Sequence, residues 1–323
     1  MRELERKNIL ITGATGLIGT AIVRHLLSNA DADYDIYAVG RNEQRAHERF
    51  AAYEKDSRFH FLCHDVTQPL QENITFHYII HAASNASPSF FANNPVDVMM
   101  SNILGTKNLL DYGRQHNMER FLFVSTGEIY GQGDGREFEE TYQGYVDIGS
   151  ARSCYPMSKR ATETLCAAYA EQYGVDFVIA RPTHVYGAEF TNEDNRVFAQ
   201  FIRNVLKRED IIMKSSGEQL RSWCSVDDCA EAIVCILQKG KSGEAYNVAD
   251  PESNYTIREL AEMIASIAGC KVIMQSSTEE EKKVFNPVDK SVFSTKKIES
   301  LGWKAKGNMY ENIKAIISCL RND

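Results

Sequence analysis

The sequence contains no apolar run long enough to cross a bilayer, which argues against a membrane-spanning protein. It also lacks the excess of positive charge that attracts nucleic acid, because 36 Lys and Arg face 44 Asp and Glu and the net charge is -8. Its eight cysteines include no C-x-x-C pair, so we interpret them as thiols and not as a disulfide framework. We therefore expect neither a membrane nor a nucleic acid as a partner.

Two further absences concern location and metal. The polar segment 1–8 leads straight into a strand and lacks the apolar core of a signal peptide, so a cytoplasmic location is expected. His60, Cys63 and His64 are close in sequence, but neighbouring residues of a strand point to opposite faces, so we expect no metal site there.

Short apolar segments alternate with helical patterns along the first half of the chain. Helices are predicted over Leu17–Leu27 and Asn102–His116. Strands are predicted over Asn8–Thr12, Ile36–Val39, Phe59–Cys63, Tyr78–His81, Arg120–Ser125 and Phe177–Ala180. This alternation predicts right-handed βαβ units and an α/β fold of the Rossmann type, with a doubly wound parallel sheet.

Three glycines stand between the first strand and the first helix, in Ile11-Thr12-Gly13-Ala14-Thr15-Gly16-Leu17-Ile18-Gly19. Gly13 allows a tight turn, Gly16 lets a pyrophosphate approach the backbone, and Gly19 lets the helix pack closely on the strand. The helix N-terminus then presents free N–H groups to the phosphates. The sequence therefore predicts a dinucleotide site.

The pattern changes after His184, where the alternation weakens and the loops lengthen. We expect residues 1–183 to form an NAD(P)-binding Rossmann domain and residues 184–323 to form mainly a smaller C-terminal α/β lobe that binds substrate. The chain is expected to return to the first domain around 222–250. Within the second part, Thr256-Ile257-Arg258-Glu259 is a capping box that predicts a helix ending near Gly269.

The end of the second strand leaves the choice of cofactor open. An acidic residue there would bind the ribose hydroxyls of NAD, but the segment reads Gly40-Arg41-Asn42. Arg41 could pair with a 2′-phosphate or stack on the adenine, so NAD is favoured and NADP is the alternative. Asp65, after the third strand, could bind the adenine amino group or cap the strand end.

Tyr155 and Lys159 are four residues apart and therefore share one face of a helix. A nearby ammonium lowers the pKa of a phenol, so the tyrosine could accept a proton while a nicotinamide accepts hydride. Following a glycine turn and a Ser125-Thr126 pair, this spacing predicts an oxidoreductase step.

The chain resembles the extended short-chain dehydrogenase/reductases, the family of NAD-dependent epimerases and dehydratases of nucleotide sugars. The resemblance runs almost end to end, through the glycine turn, His81-Ala82-Ala83-Ser84, Asn102-x-x-Gly105-Thr106, Ser125-Thr126-Gly127-Glu128-Ile129-Tyr130-Gly131, Tyr155-x-x-x-Lys159, Arg181-Pro182 and Leu301-Gly302-Trp303. It implies a catalytic set of Thr126, Glu128, Tyr155 and Lys159. It also implies that the cofactor contacts Gly13, Gly16, Leu17, Ile18, Gly19, Arg41, Asp65, Val66, Ala82, Ala83, Ser84, Asn102, Tyr155, Lys159 and Pro182.

Within that family the chain looks most like the UDP-glucuronate decarboxylases. The segment from Tyr142 through Arg160 matches that branch without a gap, and Arg152, three residues before Tyr155, is its most specific member. A guanidinium can pair with a carboxylate in bidentate fashion, although Arg152 could instead pair with a nearby acid such as Asp147. The resemblance implies C4 oxidation, C5 decarboxylation and C4 re-reduction with bound NAD.

Other outcomes remain open. The dehydratase branch carries an aspartate where this chain has Gly127, and simple 4-epimerases usually lack the glutamate found here at Glu128. His184 and Lys290 replace an asparagine and an arginine of the decarboxylases, and Ala188-Glu189 replaces a Pro-Arg pair. A non-catalytic NAD(P)-binding regulator is a third alternative. The expected substrate contacts are Ser84, Arg152, His184, Arg196, Arg221 and Lys290, and the resemblance implies a homodimer.

Overall fold

The computed structural model describes residues 6–29, 33–276 and 288–322, so part of the polar segment 1–8 lies outside the described residues. The strands are β1 (Lys7–Thr12), β2 (Tyr34–Gly40), β3 (Phe59–Cys63), β4 (Tyr78–His81), β5 (Arg120–Val124), β6 (Phe177–Pro182), β7 (His184–Tyr186), β8 (Ile211–Met213), β9 (Leu220–Ser225), β10 (Ala245–Val248), β11 (Asp250–Thr256), β12 (Val272–Met274) and β13 (Lys290–Ser291). The helices are α1 (Leu17–Ser28), α2 (Glu43–Phe50), α3 (Pro88–Asn93), α4 (Pro95–Gln115), α5 (Cys154–Tyr173), α6 (Val197–Leu206), α7 (Val226–Lys239), α8 (Ile257–Ala268), α9 (Lys296–Glu299) and α10 (Met309–Asn322).

A seven-stranded sheet in the order β10-β6-β5-β4-β1-β2-β3 forms the centre of the protein. All of its strand pairs are parallel. Helices α1 and α7 pack on one face of the sheet, and α4 and α5 pack together on the other. The predicted α/β fold with a doubly wound parallel sheet is therefore confirmed.

The inner strands are largely buried on both faces because the helices cover both, and this is why they read as short apolar runs, whereas the edge strand β3 is partly exposed. In β1, Ile9 and Ile11 belong to the core on the side of α1, whereas Leu10 belongs to the core on the side of α4. Such alternation is the side-chain geometry of a strand. The carboxyl ends of these parallel strands form one edge, where ligands bind in folds of this kind.

The second part of the chain builds a smaller sheet around β9. Strand β11 pairs antiparallel with β9, while β7 and β13 pair with it in parallel. A separate two-stranded sheet, β8 with β12, packs beside α6 and α8 around a second apolar core. Strand β10 is one of the two edge strands of the large sheet, so the later part of the chain contributes to both sheets.

Two predicted helices illustrate what local signals can and cannot indicate. The capping box at Thr256 is present with both of its hydrogen bonds, and Gly269 ends that helix at φ +74°. The helix predicted from Asn102 begins seven residues earlier, at Pro95. Proline is tolerated in the first helical turn, where its missing N–H has no helical partner.

In the described part of the chain, no helix is both long and apolar enough to cross a membrane.

Candidate active site

The glycine turn after β1 lies against the end of β4. Gly13 has φ +66°, and a Cβ there would lie 2.7 Å from the carbonyl oxygen of Ala82. A Cβ on Gly19 would overlap the carbonyl of Gly13. Only glycine meets both requirements, so β1, α1 and the end of β4 approach one another more closely than side chains allow.

The N-terminus of α1 fits a phosphate group. Gly16 caps the helix without any side chain that could accept hydrogen bonds from the first turn. The first N–H groups of a helix have no intrahelical acceptor, so those of Leu17 and Ile18 face the space beyond the turn. Ala83, at the end of β4, is held beside the turn by its N–H, which donates to Thr12 Oγ1 at 3.3 Å. This cradle is suited to a dinucleotide pyrophosphate.

The residues predicted for the adenosine end follow β2 and β3. Arg41 Nη1 lies 3.7 Å from Asp65 Oδ2, and both side chains are exposed to solvent. Asp65 Oδ1 accepts hydrogen bonds from the N–H and hydroxyl of Thr67, each at 2.9 Å. Asn108 of α4 donates to the carbonyl of Val66 at 3.0 Å. The structure thus brings Arg41, Asp65 and Val66 to one edge of the sheet.

A buried hydrogen-bond network connects the end of β4 to α5. Ser84 Oγ donates to Asn102 Oδ1 at 2.9 Å, and Asn102 Nδ2 donates to Ser158 Oγ at 3.0 Å. Ser158 Oγ in turn lies 3.0 Å from the carbonyl of Tyr155, to which it donates. Asn102 is fully buried, so this network holds the two segments in a fixed relation.

Tyr155 and Lys159 lie on the first turns of α5, as predicted. Lys159 is 2% exposed, and its Nζ donates to the carbonyl of Val124 at 2.8 Å. Burial lowers the pKa of Lys159 to about 7, although the charge of Glu163 opposes the shift. The lysine is therefore held at the end of β5 by a backbone carbonyl.

The pKa of Tyr155 differs from the one that the sequence predicts. Burial, followed by the charge of Glu128, raises the pKa of Tyr155 to about 12, while a hydrogen bond with Thr126 lowers it. The four-residue spacing predicts instead that the Lys159 ammonium lowers this pKa below its usual value. The physical reason for the difference is that desolvation penalises the charged forms of both side chains, and the lysine is engaged by a carbonyl.

Arg152 reaches the same site from the 3₁₀ turn before α5. Its Nη1 and Nη2 lie 3.2 Å from Glu128 Oε2, and its guanidinium carbon lies 4.9 Å from the ring centroid of Phe91. The ring of Phe91 also stacks on Tyr155, with 4.6 Å between centroids. The alternative pairing of Arg152 with Asp147 is not what the structure contains.

A cavity of about 580 Å³ opens beyond the carboxyl ends of β5 and β6. Eight of the predicted site residues line it: Ile18, Thr126, Glu128, Arg152, Tyr155, Pro182, His184 and Arg196. Its volume is that of an ordinary small-molecule site. Within the described ranges, no group of three or more His, Cys, Asp or Glu side chains is arranged to hold a metal ion.

The wall of the cavity excludes a side chain at position 127. A Cβ on Gly127 would overlap the ring of Phe293, which also lines the cavity. The absence of an acid between Thr126 and Glu128 is therefore built into the packing, and it cannot be reversed by a single substitution without moving Phe293.

His184 is a neutral histidine in the cavity wall. Burial, with Arg221 and Arg196 nearby, lowers the pKa of His184 to about 3. Its ring lies 5.2 Å from that of Trp223, and its Nδ1 is buried without a hydrogen-bond partner among the described residues. Arg196 is paired with Asp194, Nε to Oδ1 at 3.0 Å.

Arg221 and Lys290 are not among the residues that line this cavity. Arg221 is 3% exposed and donates to the carbonyl of Asp289 at 3.1 Å. Lys290 donates to the carbonyl of Gly135 at 2.7 Å. Successive strand residues point to opposite faces, so Ser291 lines the cavity and Lys290 does not.

The sequence analysis does not identify three residues of the site, namely Phe91, Ser158 and Phe293. Ser158 lies inside the Tyr155-x-x-x-Lys159 spacing, which could have pointed to it. Phe91 and Phe293 carry no local signal, because they are remote in sequence from the residues they contact.

The chain is similar to proteins of known activity. It matches the NAD dependent epimerase/dehydratase family over residues 9–249. It is 31% identical over 322 residues to UDP-glucuronic acid decarboxylase 1 of Arabidopsis thaliana, covering 98% of this chain and 71% of that protein.

Solved structures share the fold. The dTDP-glucose 4,6-dehydratase DesIV of Streptomyces venezuelae, with NAD and TYD bound, is similar with a TM-score of 0.85 at 23% identity, covering 98% of this chain and 97% of that one. UDP-glucuronic acid 4-epimerase of Bacillus cereus, in complex with UDP-glucuronic acid and NAD, is similar with a TM-score of 0.83 at 21% identity, covering 98% and 99%. With its glycine turn, its buried tyrosine–lysine pair and its match to the family model, the chain belongs to the NAD-dependent epimerase/dehydratase family.

Proposed function

We propose that this NAD-dependent enzyme of nucleotide sugars removes CO₂ from a nucleotide-linked hexuronic acid, with UDP-glucuronate as the expected substrate. The observation that carries the proposal is the presence of Arg152 in the cavity that also holds Tyr155 and Thr126. A guanidinium pairs with a carboxylate through two parallel hydrogen bonds, and a neutral sugar offers no such partner. The similarity to a UDP-glucuronic acid decarboxylase of Arabidopsis thaliana supports the same reaction.

Bound NAD supplies a hydride acceptor at the start of the cycle and a hydride donor at its end. We propose that the glycine turn and the N-terminus of α1 hold its pyrophosphate, and that Arg41, Asp65 and Val66 lie at its adenosine. Ala82, Ala83, Ser84, Asn102 and Pro182 would line its path toward Tyr155 and Lys159. Ser84 and Asn102 already belong to the network that fixes the end of β4 against α5.

Tyr155 would take the proton of the sugar 4-hydroxyl while C4 loses hydride. Its hydroxyl is hydrogen-bonded to Thr126, so both hydroxyls are placed to contact the same sugar oxygen. Burial raises the pKa of Tyr155, whereas the charges of Arg196 and Arg152 oppose that effect. Additional positive charge beside the ring in the assembled complex would favour the phenolate further.

The resulting 4-ketone makes the substrate a β-keto acid. The bond between C5 and the carboxylate breaks, CO₂ leaves, and the electron pair passes to the C4 oxygen as an enolate. Thr126 and Tyr155 would donate hydrogen bonds to that oxygen. Protonation at C5 and return of hydride to C4 complete the cycle, and Glu128 would position the sugar or relay the proton.

The proposed substrate contacts divide into two groups. Arg152, His184 and Arg196 line the cavity, so a sugar or its diphosphate could reach them directly. Ser84, Arg221 and Lys290 lie outside the lining, and their contact with substrate would require the nucleotide to extend beyond this cavity.

Epimerisation at C4 of the same hexuronic acid is the second candidate. The supporting observation is again Arg152, because a guanidinium that binds a carboxylate would serve an enzyme that keeps it. A 4,6-dehydratase is less well supported, since the ring of Phe293 fills the space beside Gly127 where that branch carries an acid. A non-catalytic regulator would have no use for the Thr126, Tyr155 and Lys159 arrangement.

One assay separates these functions. The purified protein is incubated with UDP-glucuronate labelled in the carboxyl group, and separately with UDP-, dTDP-, CDP- and GDP-linked neutral sugars. Labelled CO₂ with a pentose product supports decarboxylation, an isomer of unchanged mass supports epimerisation, and loss of water supports dehydration. No change in any sugar would contradict all three.

We also propose a homodimer formed by α4 and α5. Apolar side chains of α4 face solvent, with Val96 68% and Met100 43% exposed, and Ala161 and Ala168 of α5 are exposed as well. Burial of such a surface against its symmetry mate would remove it from water.

A further inference from the structure

The guanidinium of Arg152 has a fixed position and an incomplete set of partners. Phe91 lies beneath it, and Phe91 is itself 1% exposed and stacked on Tyr155. Both terminal nitrogens of the guanidinium contact Glu128, whereas Nε is buried and has no hydrogen-bond partner among the described residues. A buried donor without an acceptor is costly, so it points to an acceptor that arrives with a ligand.

The ion pair that Arg152 makes is loose. Its three contacts with Glu128 measure 3.2, 3.2 and 3.5 Å. By contrast, Arg181 and Glu163 form a bidentate pair at 2.6 and 3.1 Å with both side chains nearly buried. Charge-assisted hydrogen bonds prefer about 2.7–2.9 Å, so the pair at the cavity is easily exchanged while the other is structural.

Glu128 is the movable partner of the two. Its backbone is fixed in the 3₁₀ turn Gly127–Tyr130, where Thr126 Oγ1 accepts from the Glu128 N–H at 3.2 Å. Its carboxylate is 29% exposed and, in the described part of the chain, is hydrogen-bonded only to Arg152. Its side chain can therefore turn into the cavity, while the guanidinium stays on Phe91.

We propose that Glu128 is an internal substitute for the substrate carboxylate: a hexuronic acid displaces it from Arg152, and the displacement frees Glu128 to act on the sugar. This inference rests on the proposed hexuronic-acid substrate. A neutral sugar cannot displace Glu128, so the pair stays closed and Glu128 remains held away from C5. Substrate selection would then operate both on binding and on the release of a catalytic carboxylate.

The test measures binding and not turnover. Calorimetry is performed on NAD-loaded protein carrying Tyr155→Phe, which stops the redox step, with and without Glu128→Gln. Removing the competing charge should tighten UDP-glucuronate roughly three- to fivefold, the upper range for a partly exposed ion pair, and leave UDP-glucose unchanged. A catalytic residue whose removal improves binding is the expected signature.

Asp147→Asn in the same background is the matched control. Asp147 also lines the cavity, but it does not contact Arg152. Asp147→Asn removes one negative charge from the cavity, as Glu128→Gln does. If Glu128→Gln and Asp147→Asn tighten UDP-glucuronate binding equally, the effect comes from the lower negative charge of the cavity as a whole. That result would overturn the exchange. So would weaker binding of UDP-glucuronate after Glu128→Gln, because Glu128 would then be a direct contact.

The result is independent of the decarboxylation assay. Wild-type protein that releases no CO₂ from UDP-glucuronate would contradict the proposed reaction, yet selective tightening by Glu128→Gln would still support the exchange. Release of CO₂ without that tightening would contradict the exchange alone. The exchange would also be contradicted if UDP-glucuronate bound no better than UDP-glucose in any of the variants, including Glu128→Gln.

Discussion

Replacing Arg152 with leucine removes the proposed carboxylate contact while keeping an apolar side chain over Phe91. A hydrogen bond to a charged group contributes about 1.5–3 kcal/mol. The lower value applies here, because the Arg152 side chain is 26% exposed and Glu128 competes for it. Since about 1.4 kcal/mol is a factor of ten, UDP-glucuronate should bind roughly tenfold more weakly to Arg152→Leu.

The assay compares two ligands in the NAD-loaded Tyr155→Phe background. The dissociation constant of UDP-glucuronate should rise about tenfold, whereas that of UDP should change by less than about twofold, because UDP has no sugar carboxylate. With Arg152→Lys, the dissociation constant of UDP-glucuronate should lie between the values for Arg152 and Arg152→Leu, since an ammonium keeps the charge but loses the bidentate geometry. Arg136→Leu is the matched control, because Arg136 pairs with Asp134 and does not line the cavity.

Equal losses for UDP and UDP-glucuronate would show that Arg152 supports the loop before α5 and does not contact the substrate carboxylate. A loss for UDP-glucuronate that Arg136→Leu reproduces would indicate a long-range effect of net charge. Either result would refute the reasoning from the cavity.

The remaining predictions concern the catalytic pair, the cavity wall and the assembly. Tyr155→Phe should reduce turnover at least about a hundredfold, the lower range for loss of a general acid–base group, and mass spectrometry of denatured protein should still detect bound NAD. Lys159→Met should lose turnover and part of its NAD. Burial lowers the pKa of Lys159 from 10.5 to about 7. The buried ammonium therefore destabilises the folded protein to its full extent below pH 7, and this destabilisation disappears as pH rises toward 10.5. In urea unfolding of the NAD-free proteins, the stability of Lys159→Met relative to wild type should therefore decline over that window; a flat difference would mean that the lysine is not desolvated. Gly127→Ala should destabilise the protein by roughly 1–3 kcal/mol through overlap with Phe293, and in a double-mutant cycle it should cost less when Phe293→Ala is already present. Light scattering at micromolar concentration should give the mass of a dimer, and the mass of one chain would contradict the assembly through α4 and α5.

Local patterns are sufficient for the framework of the site. Short apolar runs mark both the buried strand β4 and the half-exposed edge strand β3, and their predicted bounds, Tyr78–His81 and Phe59–Cys63, agree with the structure. The glycine spacing predicts the turn because close backbone approach excludes any Cβ at Gly13. A four-residue spacing places Tyr155 and Lys159 on one helix, since this is a property of the helix itself.

Local sequence patterns do not predict contacts between segments that are distant along the chain. Phe293 lies far along the chain from Gly127, and only the folded structure shows that it occupies the space beside that glycine. The pKa values of Tyr155 and Lys159 depend on how completely both are removed from water, which spacing alone does not indicate. Lys290 is a further example, because the side on which it lies depends on the register of β13 against β9.

The partner of Arg152 is the clearest case of this division. Reading the chain in one dimension places a guanidinium three residues before Tyr155, and it leaves Asp147 and a substrate carboxylate as candidate partners. Folding selects Glu128 instead, because the 3₁₀ turn after β5 brings that carboxylate to the start of α5. Chemical identity and local spacing belong to the sequence, whereas charge pairing across the cavity depends on which distant segments the fold brings within a few ångströms of one another.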